Sequence, residues 1–168
     1  MNRLRGFTLV EILIVVVLLG VLAAIVIPTI ANSGTSARES TLLANLNLLR
    51  RFVMIYTGHH CEVAPGYPDG DTTAAPTNVA FADQATQASN RQGQTAPDGT
   101  PGFGYGPYLS KVPTNPLNGL DTIQMLADGQ AFPAAPDSSH GWIYKAETRE
   151  IRPDNIGNGS AGRAYYEY

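Results

Sequence analysis

Residues 5–20 read RGFTLVEILIVVVLLG, and this stretch places one glutamate, Glu11, at the head of a long apolar run. Residues 12–27 carry no polar side chain, and no charged residue lies between Glu11 and Arg38. The run over residues 7–31 is long enough to cross a bilayer as a helix, which takes about 20 residues. A carboxylate at mid-bilayer costs on the order of 2.5 to 3.5 kcal/mol, so Glu11 requires an explanation.

The flanking charges predict how the apolar helix is oriented. Arg3 and Arg5 precede the run, and the next basic residue is Arg38. Basic residues tend to stay on the cytoplasmic side, so the bulk of the chain is predicted to lie outside the cytoplasm. A secretory signal cleaved after Ser33 is the alternative, but the apolar region of such a signal is usually only about 7 to 15 residues long. Length therefore favours a retained anchor.

Glu11 has two interpretations from physics alone. Close to the membrane interface, the positive end of the helix dipole offsets part of the cost of its charge. Alternatively, a cut between Gly6 and Phe7 creates an α-amino cation four residues before Glu11. In a bundle of low dielectric constant, that amine and the carboxylate of a neighbouring subunit would pair and set the register between subunits.

The segment RGFTLVEILIVVVLLGVLAAIVIP resembles the N-terminus of type IV pilins and of the pseudopilins of type II secretion systems. The resemblance implies cleavage by a prepilin peptidase after Gly6, N-methylation of Phe7 and an assembly contact through Glu11. The partners it implies are further copies of this chain in a homopolymeric filament, other pseudopilins, the prepilin peptidase and an inner-membrane assembly platform. It also implies a single-pass protein of the bacterial inner membrane with a periplasmic C-terminal domain, which later enters a periplasmic or surface filament.

A kink is predicted within the apolar helix. Pro28 removes the hydrogen bond to the carbonyl of Ala24 and crowds that carbonyl, while Gly20 weakens the preceding turns. In filaments of the resembled family, the stretch corresponding to Gly20 through Pro28 can unwind when subunits pack. An ordinary kinked membrane helix and a functional melting are both open interpretations.

The resemblance, together with the pattern of the remaining residues, implies an α+β, pilin-like fold. In it, a long N-terminal helix, half transmembrane and half amphipathic, packs on a small antiparallel β-sheet. The predicted parts are a leader over 1–6, the membrane or filament-core helix over 7–31, its amphipathic continuation over 32–57, a long irregular loop over 58–107 and a small sheet region over 108–168.

Two patterns support this division. One apolar stripe at helical spacing requires a sheet to cover it; it consists of Leu42, Leu46, Leu49, Val53 and Tyr56. In GWIYKAETREIRPD, the β-prone run 142–144 and Ile151 flank a polar turn at 146–149, which predicts a hairpin. A short helix is expected at 79–89.

Composition limits the remaining functions. With 168 residues, the chain has room for one small domain and an anchor, which excludes a large multi-domain enzyme. Its formal charge of −3 becomes −5 once Arg3 and Arg5 are removed, so nucleic acid is not an expected partner. Cys61 is the single cysteine and cannot form a disulfide within the chain.

Motifs for catalysis or ligands are weak. The HHCE run over 59–62 places possible metal ligands side by side, although adjacent side chains point apart and zinc sites space their ligands more widely. PDGD over 68–71 is interpreted as a turn. GFGYG over 102–106 has no strand-then-helix context for a dinucleotide. No catalytic residue, cofactor or metal ligand is therefore predicted.

Calcium binding is left open, because pseudopilins of the resembled family often bind calcium in a C-terminal loop. Asp128 and Asp137 lie in the corresponding region of this chain.

Three functional hypotheses follow. The leading one is a structural filament subunit, with a type II secretion pseudopilus favoured over an adhesive pilus and no enzymatic activity. The second is a binding module: a type IV pilus or minor pilin subunit, or an anchored receptor, whose long loop contacts a partner. The third is a secreted enzyme with a cleaved signal, which predicts a mature N-terminus near Gly34 instead of Phe7.

Overall fold

The structure, a computed structural model, describes residues 8–168, except for the side chains of residues 26–33. The chain divides into two compact units, and the boundary in the sequence falls between Ala37 and Arg38. The helices are α1 (Leu9–His59) and α2 (Asn78–Thr86). The strands are β1 (Ala88–Ser89), β2 (Thr95–Ala96), β3 (Ile123–Leu126), β4 (Trp142–Lys145) and β5 (Glu150–Pro153).

The second unit is built around the amphipathic part of α1. Its core-facing side is the predicted apolar stripe, and every member of that stripe is at most 3% exposed. Trp142 and Tyr144 of β4, both fully buried, belong to the same core cluster as the stripe, together with Phe81 of α2. The Trp142 indole donates its N–H to the carbonyl of Pro113 at 2.8 Å, which satisfies its polar atom inside the core.

The predicted α+β class is confirmed, and so is the hairpin of β4 and β5. These strands pair antiparallel, with Trp142 opposite Pro153 and Lys145 opposite Glu150. The prediction of a wholly antiparallel sheet is wrong for the third strand, because β3 pairs parallel to β4. A parallel neighbour requires a crossover of about a dozen residues or more, and the connection over 127–141 provides that length.

The region over 58–107 contains more structure than a surface loop. The expected short helix is confirmed as α2, which begins after Thr77, whose hydroxyl caps it by accepting from the N–H of Ala80. Strands β1 and β2 form a separate two-stranded antiparallel sheet. Buried Gln84 accepts from the N–H of Gly66 at 2.7 Å and donates to the carbonyls of Tyr67 and Gly93. A single buried amide of α2 thus joins two other backbone segments, at residues 66–67 and at Gly93.

Helix α1 ends one residue beyond Gly58, the glycine expected to terminate it. The N–H of Glu62 bonds the carbonyl of Thr57 at 3.1 Å, and Cys61 adopts a positive φ of 55°. This is the pattern of a Schellman-type helix end, in which the left-handed residue is usually glycine. Here Cys61 has that conformation, and Gly58 lies within the last helical turn.

Candidate functional site

The start of α1 is a capping box formed by Thr8 and Glu11. A Glu11 carboxylate oxygen accepts from the Thr8 backbone N–H and from the Thr8 hydroxyl, both at 2.8 Å. In return, the Glu11 N–H donates to the Thr8 hydroxyl at 3.2 Å. The first amides of a helix lack partners within the helix, and this reciprocal pair satisfies two of them. Glu11 is therefore bound by polar groups of its own chain.

That Glu11 caps its own helix was not predicted from the sequence, although residues 8–11 carry the pattern of a capping box. Ser or Thr followed three residues later by Glu, just before an apolar run, is the signature of a capping box, and residues 8–11 read TLVE. Thr8 follows the predicted cleavage site between Gly6 and Phe7, so removal of the leader would leave the Thr8 amide and hydroxyl in place. Gly6 and Phe7 themselves lie outside the described residues.

The predicted kink stays a prediction. Helix α1 runs through Gly20 and Pro28, but the Pro28 side chain lies outside the described residues. At Gly20, an added Cβ would meet no other atom within 4 Å. Packing within this chain therefore does not require a glycine there.

The apolar side chains at the start of α1 are exposed around the whole helix. Thirteen large apolar residues between Leu9 and Ile25 expose 51% or more of their surface. Exposed apolar area of this extent marks a surface that another apolar phase or partner covers. Within the residues whose side chains are described, no helix is both long and apolar enough to cross a membrane.

The resemblance implies a calcium site in the C-terminal loop region, which contains Asp128 and Asp137. Asp128 accepts from the Tyr67 hydroxyl at 2.9 Å, and Asp137 accepts from the Ser139 N–H at 2.9 Å. Hydrogen bonding from Ser139 also lowers the pKa of Asp137. Calcium takes six to eight oxygen ligands, whereas the described residues include no group of three His, Cys, Asp or Glu side chains that could hold a metal. Calcium binding in this loop stays a prediction from the resemblance.

A different carboxylate holds this loop. Asp154 is fully buried, and its two oxygens accept from the N–H groups of Asp137 at 3.0 Å, Ser138 at 3.1 Å and His140 at 2.9 Å. Its backbone carbonyl accepts from the Asn118 amide at 3.1 Å. Three backbone N–H groups share this one carboxylate, so Asp154 connects the end of β5 to residues 137–140.

The HHCE run does not assemble a metal centre. His60 is buried and stacks on Tyr56, with ring centroids 3.8 Å apart. Its Nδ1 lies 2.7 Å from the Tyr56 carbonyl and its Nε2 lies 3.0 Å from the Ser89 hydroxyl. His59 instead contacts the Tyr108 hydroxyl at 2.9 Å, and Cys61 is exposed. Burial lowers the pKa of His60 from its ordinary 6.5, so His60 is a neutral core residue.

Comparison with known proteins agrees with these features. Residues 1–27 match the family described as prokaryotic N-terminal methylation motif. The chain is 31% identical over 133 residues to type II secretion system core protein G of Klebsiella pneumoniae, covering 77% of this chain and 79% of that protein. It is 27% identical over 157 residues to the core protein G of Aeromonas hydrophila, covering 94% and 93%.

A third relative belongs to a different filament. The chain is 28% identical over 98 residues to the major component of the type IV narrow pilus of Thermus thermophilus, covering 55% of this chain and 84% of that protein. No solved structure matches the chain significantly.

An apolar helix that begins with Thr8 and Glu11 and continues into a small α+β domain defines a pilin-like protein. Within that class, the chain belongs to the family of type II secretion system core protein G, the major pseudopilins, on the identity and coverage of its relatives. Members of this family are structural proteins and not enzymes.

Proposed function

We propose that this chain is a structural subunit of a type II secretion pseudopilus. In this proposal, the prepilin peptidase cuts after Gly6 and methylates Phe7, and the subunit enters the filament through α1. Before assembly it resides in the inner membrane, with the second unit in the periplasm. Its partners are other copies of the chain, other pseudopilins and the assembly platform in the inner membrane.

The observation that carries the proposal is the all-round exposure of apolar side chains at the start of α1. A helix that is apolar on every side is stable only when lipid or other helices surround it. A subunit that moves from membrane to filament exchanges the first environment for the second. The N-terminal methylation motif supports the same account, because it covers residues 1–27.

The test is mass spectrometry of the mature N-terminus in cells with and without the prepilin peptidase. We expect a methylated Phe7 start when the peptidase is present and an intact leader when it is absent. A mature start near Gly34 in both strains would contradict the proposal, because it would identify a cleaved secretory signal.

A type IV pilus subunit is the second candidate, and the relative from a narrow pilus favours it. The two candidates differ in where the filament forms and in what stops without it. Deletion of the gene is expected to block protein secretion if the chain is a pseudopilin. Loss of surface fibres with normal secretion would favour the pilus.

A further inference from the structure

The solvent-facing side of α1 carries a strip that is both apolar and basic. Its members share one helical line because they are spaced at i, i+4, i+7 and i+11; we call them the outer strip, Ala44, Leu48, Arg51 and Ile55. All four are exposed, with Leu48 at 42% and Ile55 at 39%. The strip lies opposite the buried stripe of the same helix, so the core of its own domain does not cover it.

Arg51 is the available cation of this strip. The neighbouring Arg50 is bound within the domain, because its guanidinium donates to the carbonyls of Ile151 at 3.3 Å and Tyr168 at 2.6 Å. The Arg51 side chain makes no hydrogen bond or ion pair with any other residue that the structure describes. Between Glu39 and Glu62, α1 contains no acidic residue, so nothing on this face offsets the charge.

A cleft lined by acidic side chains, in contrast to the basic outer strip, lies between α2 and the turn before it. Its volume is about 190 Å³ and its lining includes Asp69, Asp83 and Val79. Asp69 and Val79 are exposed, Val79 at 65%. The Asp83 carboxylate accepts from the Gln87 amide of its own helix at 2.8 Å, which leaves further acceptor positions on its two oxygens. We call this feature the acidic cleft.

We propose that the outer strip of one subunit docks into the acidic cleft of a second copy of this chain. Arg51 lies between Asp69 and Asp83 of the second copy, while Leu48 and Ile55 pack against its Val79. Charge complementarity selects this occupant, because residues 63–140 contain seven acidic and two basic residues, whereas residues 40–61 contain two arginines and no acid. The inference rests on the proposed filament function and names a contact within that filament.

The proposed contact joins two different surfaces, so it can link many subunits in a row instead of only two. The strip and the cleft share no residue, so a subunit that uses its strip on one neighbour still presents its cleft to the next. A heterologous contact of this kind forms an open helical filament, unless the rotation between successive subunits closes them into a ring. Both surfaces belong to the second unit, so the contact adds to any contact that the start of α1 makes.

The proposal is tested by reversing the charges of the two surfaces and measuring the yield of filaments in cells that express the full chain. Arg51→Glu and Asp83→Arg, each alone, are expected to lower the yield about tenfold or more, because like charges then face each other. The double variant is expected to recover most of the wild-type yield. Lys111→Glu and Asp98→Arg are the matched controls, since they change the charge equally at exposed positions outside both surfaces. Normal filaments from both single variants, or no recovery in the double variant, would overturn the proposal.

A crosslinking experiment detects the same contact directly and does not depend on the yield of filaments. On a Cys61→Ser background, Leu48→Cys and Val79→Cys are placed on two differently tagged copies in the same cells. We expect a disulfide between the tagged copies, and no such bond when Asp98→Cys replaces Val79→Cys. Failure to crosslink beside a correctly methylated Phe7 and normal filaments would refute the contact and leave the proposed function standing. A missing Phe7 start would instead refute the proposed function.

Discussion

At the scale of single residues, Glu11 combines a local and a proposed intermolecular role. The local role is visible in the two hydrogen bonds from Thr8. The intermolecular role requires the negative charge, because only a carboxylate pairs with the α-amino group of a processed neighbour. Glutamine separates these roles, since it can cap a helix as glutamate does but carries no charge.

We therefore expect Glu11→Gln to insert into the membrane and to be cleaved normally while assembling few or no filaments. Processing is measured by mass spectrometry and assembly by the recovery of sheared filaments. Thr8→Ala serves as the control, because it weakens the cap and keeps the charge; we expect it to assemble. If Glu11→Gln filaments were as abundant as wild type, capping alone would account for the glutamate.

His60 makes the stability of the domain depend on pH. Its pKa is lowered in the folded chain because burial disfavours the charged ring, so the unfolded chain takes up a proton first as the pH falls. Stability is therefore retained above the unfolded value of about 6.5 and lost progressively as the pH falls toward the folded value. The groups that face the ring are Tyr56, Ser89, Tyr105, Tyr108 and His59.

The prediction is a fall in the Tm of the detergent-solubilised full chain between pH 7.5 and pH 5.5 that is smaller in His60→Gln. Glutamine keeps a hydrogen-bonding side chain and does not titrate. The matched variant is His59→Gln at the exposed neighbouring position, which we expect to keep the wild-type pH dependence. Equal slopes in the wild type and His60→Gln would exclude His60 as the cause.

At the scale of elements, Asp154 shows how a short strand positions a long connection. β5 ends at Pro153, and the next side chain binds three backbone amides of the crossover that makes β3 parallel to β4. Removal of that carboxylate deprives three amides, at exposed or half-buried positions, of their acceptor, and a typical hydrogen bond contributes about 0.5 to 1.5 kcal/mol. The crossover and the parallel strand therefore depend on one side chain.

Asp154→Ala is accordingly expected to lower the free energy of unfolding by about 3 kcal/mol, as measured by urea denaturation of the full chain. Asp137→Ala, which loses one exposed turn contact, should cost much less. A calcium chelator decides the calcium prediction that the resemblance implies: an unchanged wild-type Tm would show that Asp154 holds this loop without a metal ion. A large decrease in Tm on chelation would show that a metal ion shares this loop with Asp154.

The element scale also shows what the sequence could and could not predict. The apolar stripe of α1 and the β4–β5 hairpin were predictable, because both follow from local spacing and from a turn between adjacent strands. The parallel position of β3 was not, since its partner lies beyond a long connection and IQML carries no signal of strand direction. Buried Gln84 was also missed, because its burial depends on three distant backbone groups.

At the scale of the whole molecule, α1 contributes a buried stripe to the core and an outer strip to the proposed contact, and substitutions can affect one without the other. Leu46 is fully buried in the core, and truncation of such a leucine typically costs about 2 to 5 kcal/mol. Leu48, two residues away, belongs to the outer strip, and a surface change of this kind usually stays within about 0.5 kcal/mol. Stability and assembly should therefore respond to different leucines of one helix.

We expect Leu46→Ala to lower the unfolding free energy strongly and Leu48→Ala to leave it nearly unchanged while lowering filament yield. Urea denaturation of the full chain measures the first effect, and sheared-filament recovery measures the second. A Leu48→Ala variant that assembles normally would contradict the proposed docking of the outer strip.

The reciprocal bonds at the head of α1 have a consequence for how a filament grows and shortens. Under the proposed function, a subunit in the membrane already has its Glu11 carboxylate bound by its own Thr8, so assembly exchanges one set of hydrogen-bond donors for another. Such an exchange yields far less net energy than the rescue of a stranded charge, because bonds are broken as well as made. The Glu11 contact by itself is therefore expected to contribute little net energy to the addition of a subunit.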